Sequence, residues 1–293
     1  MLSESLKKIY AALPIIRELR MIRSSLEKIS SGIEAVGTLE AVRFLELELK
    51  AHPRYAAPKR LAASEFRVNS QNGEDGIIQE IFRRVGTTDR YFVEVGVADG
   101  VECNTAFLLS QGWSGAWIDG RASFQKLLDG RPEFRGKLKG LQSFVTRENI
   151  AGLLKQVEAP AEFDLLSLDI DRNTYYAWEG LKEFRPRVVV IEYNSVVPPD
   201  GEWKPTYVAD GVWDGTNNYG ASLKSLERLG AERGYSLVGC EFNGVNAFFV
   251  RTDLVGDKFE APFTAENHYE PPRFALARLR QGHLPTILDP PGR

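Results

Sequence analysis

Acidic side chains follow several of the apolar segments in this 293-residue chain. Asp119 ends one short apolar run, Asp169 and Asp171 end another, and Glu192 lies at the end of a third. In open α/β sheets, ligands bind outside the carboxyl ends of the strands, where such side chains gather. Carboxylates placed there can accept a proton, hold ribose hydroxyls or bind a hard cation. The spacing therefore predicts a site built from strand ends.

A glycine-rich turn supplies a second chemical feature. Tyr91–Val95 is an apolar run interrupted by one acid, Glu94, which is typical of a buried parallel strand. Gly96 and Gly100 let the backbone approach a ligand, and residues 105–109 predict a helix with free N–H groups at its start. The spacing is Glu-x-Gly-x-x-x-Gly, which departs from the G-x-G-x-x-G pattern of NAD-binding proteins.

The segments that must position these residues alternate between strand and helix patterns. A polar run ending at Asp75 caps a predicted helix, and two strands flank Asn243-Gly244, the favoured hairpin turn. The alternation predicts an α/β, Rossmann-like parallel sheet with right-handed crossovers that closes in an antiparallel hairpin. After the first strand, the predicted strands lie in 112–120, 141–145, 163–171, 188–194, 236–242 and 246–251, with helices at 175–184 and 221–233.

Composition limits the function classes. With 43% apolar and 26% charged residues, the chain is an ordinary soluble protein, and a net charge of -3 argues against a nucleic-acid binder. Two cysteines, Cys103 and Cys240, lie too far apart in sequence to predict a disulfide framework or a cysteine zinc site. No apolar run reaches the roughly 18 residues of a membrane span, and Lys7, Lys8 and Arg17 interrupt any signal-peptide core. We expect a cytoplasmic protein.

Four segments are predicted along the chain. Residues 1–50 form a helical segment, 51–65 a linker, 66–251 the catalytic domain and 252–293 a covering tail. Within 1–50, apolar residues recur every three or four positions, and Pro14 should start or kink a helix.

Three roles remain open for this helical segment. It could pack on its own catalytic domain, form a short coiled coil that makes a homo-oligomer, or rest on the inner face of a membrane. Its small excess of basic residues supports the membrane contact only weakly.

At this point the order of motifs resembles a known family. The run Val93-Glu-Val-Gly-Val-Ala-Asp-Gly100 resembles motif I of class I S-adenosylmethionine (SAM) methyltransferases. Asp119 matches the ribose-binding acid of that family, and the terminal hairpin matches its reversed last strand. The run that ends at Asp75 and Leu168-Asp-Ile-Asp171 resemble the FkbM-type branch, which methylates hydroxyls on natural products and glycans.

The resemblance implies SAM as the methyl donor. Glu94 would orient the loop, Asp119 would hold the ribose, and Asn149 or its neighbours would meet the adenine. From the residues alone, Glu94 could instead be a buried acid that holds backbone amides, and Asp119 could be a helix N-cap. The implied cofactor residues are Glu94, Gly96, Asp99, Gly100, Asn104, Asp119, Asn149 and Asp169.

Methyl transfer to oxygen requires removal of the acceptor proton, and two routes are open. A carboxylate or histidine could be the base, which gives Asp169, Asp171 and His268 as catalytic candidates. Alternatively, oxygen ligands from Asp169, Glu192 and Asn194 could hold Mg²⁺, an arrangement that resembles the metal triad of catechol- and sugar-type O-methyltransferases. A third possibility is that the strand-end acids only cap the next helix.

A long polar and aromatic loop, 195–219, predicts an acceptor site, because aromatic rings stack on the apolar faces of sugars. The predicted activity is O-methylation of a hydroxyl on a sugar, a glycan such as a surface polysaccharide, or a glycosylated natural product. Competing readings are an NAD-linked oxidoreductase, which the missing third glycine disfavours, and a non-catalytic oligomeric scaffold, which the intact motif disfavours. The predicted substrate-binding residues are Gln71, Glu74, Asp75, Trp203 and Tyr219.

Overall fold

The computed structural model describes residues 14–98, 100, 102–131, 134–274 and 276. By internal contacts the chain divides into two compact units, Met1–Leu49 and Lys50–Arg293. The predicted linker, 51–65, therefore falls within the second unit. Its side chains explain why: Tyr55 is buried, and its hydroxyl donates a hydrogen bond to Glu270.

The first unit contains one long helix. Helix α1 spans Pro14–Arg43 and continues into a π-helical turn, Phe44–Leu49. Proline suits the first turn of a helix because its missing N–H would have no intrahelical partner there. No residue of α1 is buried, and Arg23 pairs with Glu27 one turn later at 2.8 Å.

The second unit is built on a seven-stranded sheet with the order β3-β2-β1-β4-β5-β7-β6. Strands β1 to β5 are parallel, and β7 runs antiparallel to both β5 and β6. This mixed sheet with flanking helices confirms the predicted Rossmann-like fold class. The strands are β1 Tyr91–Val95, β2 Ser114–Asp119, β3 Leu138–Gln142, β4 Leu165–Leu168, β5 Val188–Glu192, β6 Tyr235–Cys240 and β7 Asn246–Arg251.

Helices and short turns connect the strands. Each of the four crossovers between the parallel strands β1 to β5 contains a helix, which is the usual connection for parallel pairing. The described helices after α1 are α2 Glu74–Val85, α3 Ala106–Ser110, α4 Phe124–Asp129, α5 Ile150–Gln156, α6 Thr174–Gly180, α7 Leu223–Glu232, α8 Thr252–Val255 and α9 Ala265–His268, with 3-10 turns at Pro53–Tyr55, Ala62–Ser64 and Asp171–Asn173.

The core explains the central strands. Every residue of β5 is buried, and its side chains alternate between the two faces of the sheet. Val189 and Ile191 pack into one hydrophobic cluster, while Val188 and Val190 pack into the other. A strand covered on both faces reads as a continuous apolar run in the sequence.

The edge of the sheet departs from prediction. Strand β3 spans Leu138–Gln142, three residues earlier than predicted, because its side chains are exposed or half-buried and leave no continuous apolar signal. Helix α4 was not predicted, since only Phe124 of its six residues is buried. No described helix is long and apolar enough to cross a membrane.

Candidate active site

A cleft of about 690 Å³ opens at the carboxyl ends of the parallel strands. It collects residues from the ends of β1, β2, β4 and β5, from the segment after β3, and from the loop before α7. Its described lining includes Gln71, Gly96, Asp119, Phe144, Asp169, Asp171, Glu192 and Trp213.

Gly96 follows directly after β1 and begins the turn that lines the cleft. Its φ is +90°, and a Cβ there would lie 1.5 Å from the carbonyl oxygen of Asp169. Glycine is therefore required by the close approach of two strand ends. Gly100 has φ +70° and packs against Leu127 without lining the cleft, so its role is in the loop. Asp99, a predicted cofactor residue, lies outside the described residues.

Asp119 ends β2 and faces the same cleft. Its Oδ2 accepts a hydrogen bond from the Ala98 amide at 2.8 Å, and its Oδ1 accepts one from the Arg121 amide at 2.7 Å. These bonds fix the carboxylate and leave each oxygen with a lone pair for a ligand hydroxyl. Helix α4 starts later, with Ser123 at its N-cap, so Asp119 is not that helix's cap.

Glu94 acts on the loop rather than on the cleft. It is buried, does not belong to the described lining, and accepts hydrogen bonds from the Asn104 amide at 2.8 Å and the Thr105 amide at 3.0 Å. Burial raises the pKa of Glu94 to about 7, although these hydrogen bonds oppose the shift. The Asn104 side chain donates to Ser167 at 3.1 Å. Both residues thus position the turn.

The segment after β3 offers an apolar surface. Phe144 and Val145 line the cleft, and the Phe144 side chain is 46% exposed. Asn149 lies behind this segment, where its Oδ1 accepts from the Thr146 amide at 2.8 Å and its Nδ2 donates to the Phe144 carbonyl at 2.9 Å. Asn149 therefore braces the surface, and its neighbours form it.

Three carboxyl groups meet at the other end of the cleft. One oxygen each from Asp169, Asp171 and Glu192 lies within 4.8 Å of the others. Glu192 is only 8% exposed, and its Oε2 is buried without a hydrogen bond from any described residue. A buried polar atom without a partner is costly, which suggests a site made to receive a ligand.

The electrostatics of this cluster agree with its geometry. Burial raises the pKa of Asp169 to about 7, and the charges of Asp171 and Glu94 add to the effect. Burial also raises the pKa of Glu192 well above its usual range, with Asp169 next in importance. Burial raises the pKa of Asp171, and the nearby Arg121 opposes that shift. The cluster favours protons or a cation.

A strained turn presents Asp171. Asp171 and Arg172 have φ of +54° and +33°, a left-handed region that non-glycine residues seldom adopt. Each such residue costs on the order of 1–3 kcal/mol, and such strain concentrates at functional sites. The next residue, Asn173, anchors the turn by donating to the Val208 carbonyl at 2.8 Å.

The predicted metal ligand Asn194 already has hydrogen-bond partners. The Asn194 carboxamide is engaged at both ends: Nδ2 donates to the Asn217 carbonyl at 2.6 Å, and Oδ1 accepts from the Val196 amide at 3.2 Å. Asp171 stands with Asp169 and Glu192 instead. Three carboxylates, one with an unpartnered buried oxygen, fit a hard divalent cation such as Mg²⁺.

Of the predicted acceptor residues, only Gln71 lines the cleft. Glu74 is buried and accepts from the Asn72 amide at 2.8 Å and from Asn246 Nδ2 at 2.6 Å. Asp75 is buried and gathers three successive backbone amides, those of residues 68–70, on its Oδ2. These two acids hold the polar run in shape behind Gln71.

The aromatic side chain that loop 195–219 contributes to the cleft is Trp213, which was not predicted from the sequence as a site residue. Trp213 lines the cleft and is 47% exposed, with its indole N–H bonded to the Thr216 carbonyl at 2.6 Å. Neither Trp203 nor Tyr219 belongs to the described lining, and Tyr219 packs near Phe274 instead. Loop 195–219 contains several aromatic residues, and no periodicity indicates which of them faces the cleft.

His268 lies apart from the cleft. It ends α9, which packs against β6 and α7, and its ring is buried. Burial lowers the pKa of His268 to about 4, and the nearby Arg60 adds to the shift, so the ring is neutral. A base must reach the acceptor, and this buried ring does not belong to the described lining of the cleft.

The chain was compared with known proteins. No protein-family model and no curated protein matches the chain. Among solved structures, the CurJ carbon methyltransferase is 11% identical with a TM-score of 0.42, over 78% of this chain and 70% of that one. The glycopeptide N-methyltransferase MtfA with bound SAM is 13% identical with a TM-score of 0.38, over 64% and 96%.

A third structure, an O-methyltransferase family protein from Burkholderia thailandensis, is 11% identical with a TM-score of 0.37, over 76% of this chain and 69% of that one. The similar structures thus include carbon, nitrogen and oxygen methyltransferases. Likeness at these identities and TM-scores carries no argument about this chain.

Proposed function

We propose that the second unit is a SAM-dependent O-methyltransferase acting on a hydroxyl of a sugar, a glycan or a glycosylated natural product. One observation carries the proposal. A single cleft joins a glycine turn and a backbone-anchored acid, Asp119, to a cluster of acids in which Glu192 has an unpartnered oxygen. The first end suits a nucleoside and the second suits proton removal.

The nucleoside end would hold the cofactor. SAM supplies an electrophilic methyl group on a positively charged sulfur. Asp119 would accept hydrogen bonds from the ribose hydroxyls, and the adenine would rest on Phe144 and Ile118, which line the same end of the cleft. Gly96 allows close backbone approach to the amino-acid tail. The acids opposite favour a cation by simple charge attraction.

The acidic end would serve the acceptor. In the transfer, a bond forms between the acceptor oxygen and the methyl carbon, and the bond from that carbon to sulfur breaks. The hydroxyl proton passes to a carboxylate, for which Asp169 is the best candidate, and the sulfur leaves as a neutral thioether. A carboxyl group with a pKa near 7 is partly ionised at neutral pH and can retain the proton afterwards.

In the alternative route the same cluster would hold a divalent cation, and Asp169 would then be a ligand of the cation and not the base. Asp169, Asp171 and Glu192 provide the oxygen ligands that Mg²⁺ prefers. A bound cation would lower the pKa of the acceptor hydroxyl and hold it near these acids. Trp213 offers a ring face in the same cleft, and Gln71 and Asn173 add hydrogen-bonding groups, a combination that suits a sugar.

Methyl transfer from labelled SAM to a panel of nucleotide sugars and glycans tests the proposal. We expect SAM-dependent labelling of at least one hydroxyl-bearing acceptor. Loss of labelling with a chelator and recovery with Mg²⁺ would assign the cation route, and labelling that survives the chelator would assign Asp169 as the base. The matched variants are Asp169→Asn, expected to be inactive, and Asp129→Asn on the exposed part of α4, expected to be active. Binding of NAD but not of SAM would contradict the proposal.

A further inference from the structure

Helix α1 carries a regular apolar stripe. Seven of its aliphatic side chains, from Ile15 to Val36, are separated alternately by four and three positions, and each of the seven is more than half exposed. This spacing has a period of 3.5, which keeps one stripe facing a partner helix along a coiled coil. The stripe consists of Ile15, Leu19, Ile22, Leu26, Ile29, Ile33 and Val36.

The helix that bears the stripe is continuous. It runs for 30 residues, about 45 Å at 1.5 Å per residue, and proline occurs only at its start. A continuous exposed apolar stripe along a helix of this length marks an interaction surface. The heptad spacing indicates which partner covers the stripe. Knobs-into-holes packing requires a helix with the same repeat, and a second copy of α1 provides one.

We propose that the α1 helices of three or four copies of this chain associate in parallel through the stripe. The packing preference of the core positions sets the number of copies. Leucine at a and isoleucine at d shifts coiled coils from dimers to trimers or tetramers. Here a is Leu19, Leu26 and Ile33, and d is Ile15, Ile22, Ile29 and Val36.

Small flanking residues agree with an assembly larger than a dimer. As copies are added, the e and g positions beside the core come closer to neighbouring helices, so bulk there opposes association. In the second half of α1 these positions are Ser25, Ser30, Gly32 and Gly37. A Cβ at Gly32 or Gly37 would meet nothing within 4 Å in the single chain, so glycine is not required there by the chain's own packing.

Charge complementarity supports the parallel direction. In parallel coiled coils a g residue lies across from the e residue five positions later on the neighbour. That rule pairs Glu18 with Arg23, which carry opposite charges. Arg23 is 82% exposed at its side chain, so it can contact a neighbouring helix while remaining close to Glu27.

The mass of the full chain in solution tests the number of copies. Sedimentation equilibrium should give three or four times the 32.8 kDa chain mass. A monomer or a dimer would overturn the proposal. Leu26→Asp at an a position should produce monomers, while the control Ser24→Asp, on the outer face of the same turn, should keep the assembly. The thermal transition of the second unit should be unchanged in both variants, which shows that each has folded.

A core exchange and a cross-link test the remaining two claims. Exchanging the core residues, with isoleucine at 19 and 26 and leucine at 15, 22 and 29, should convert the assembly to a dimer. An unchanged mass would contradict the assigned packing. Under oxidising conditions Ile22→Cys should form disulfide-linked pairs, because d residues meet their own copies in a parallel coil, and Ser24→Cys should not. An assembled but unlinked Ile22→Cys protein would overturn the parallel direction.

Discussion

Asp119 and Glu192 end strands of the same sheet and line the same cleft, yet their surroundings differ. Both oxygens of Asp119 accept backbone amide hydrogen bonds. Glu192 has a buried oxygen with no described partner, and its other neighbours in the cleft include two more acids. The protein stabilises a charge at one end of the cleft and destabilises charges at the other.

This difference suggests that one end of the cleft binds the cofactor and that the other end takes part in the reaction. A carboxylate fixed by two amides keeps its orientation, which suits recognition of neutral hydroxyls. Buried acids that lack partners are stable only when a proton, a cation or a polar ligand joins them. The following experiments test whether the two ends are separable in this way, beginning with the largest expected effect.

The largest effect should come from Asp169→Asn. The amide keeps the shape of the side chain but cannot take the acceptor proton or bind a cation well. Turnover should fall about 10²- to 10⁴-fold, the usual contribution of a general base. Calorimetric affinity for S-adenosylhomocysteine, the demethylated cofactor, should stay within about threefold, which corresponds to under 1 kcal/mol.

The result for Asp169→Asn also tests whether the cofactor end and the acidic end of the cleft have separate roles. If cofactor affinity and turnover fell together by the same factor, the acid would belong to the cofactor end, as the sequence also allowed. Glu192→Gln is a second variant at the acidic end, and it should likewise leave the affinity for the cofactor unchanged.

Asp119→Asn should have the converse effect. One oxygen can still accept an amide hydrogen bond, but the charge that strengthens hydrogen bonds to the ribose is lost. A hydrogen bond to a charged group contributes about 1.5–3 kcal/mol, so the dissociation constant should rise about 10- to 100-fold. Turnover at saturating SAM should change little. A large fall in saturated turnover with unchanged affinity would reverse the assignment of the two ends.

Cation affinity should depend on pH. The pKa of Asp169 is raised to about 7, so this carboxyl group is mostly protonated at pH 6 and mostly ionised at pH 8. Only the ionised form is a good ligand, and Mg²⁺ should therefore bind more tightly at pH 8, by up to about tenfold per pH unit for each proton displaced. Titration calorimetry at the two pH values measures this change. Equal affinity at both pH values would contradict a cation that displaces the proton of Asp169.

The smallest effect should come from Trp213. Removing its ring in Trp213→Ala should raise the acceptor KM a few-fold, in line with about 0.5–1.5 kcal/mol for an aromatic contact. Trp213→Phe keeps a ring face and should lose less. The KM for SAM should be unaffected in both variants. A rise in the KM for SAM alone would move Trp213 to the cofactor end.

The sequence predicted the central part of the fold well because buried strands leave a strong signal. Tyr91–Val95 was predicted with its observed bounds, and Val188–Glu192 lay within its predicted strand. The edge strand β3 was displaced because half-exposed side chains alternate weakly with the apolar ones. Local patterns thus locate strands best where both faces of the sheet are covered.

Site residues on strands were easier to anticipate than those on loops. Alternation along a strand places Asp119 and Glu192 at the cleft, but it cannot describe a turn with two positive φ angles such as that at Asp171 and Arg172. That turn brings Asp171 to the cluster, where the sequence had suggested Asn194. Trp213 was overlooked for the same reason, since an irregular loop has no period.

A crystal structure with S-adenosylhomocysteine tests the central claim most directly. The account predicts that the ribose hydroxyls donate to Asp119, and that the sulfur points along the cleft towards Asp169 and Glu192. A nucleoside bound with its ribose on the acidic cluster, or bound outside this cleft, would contradict it.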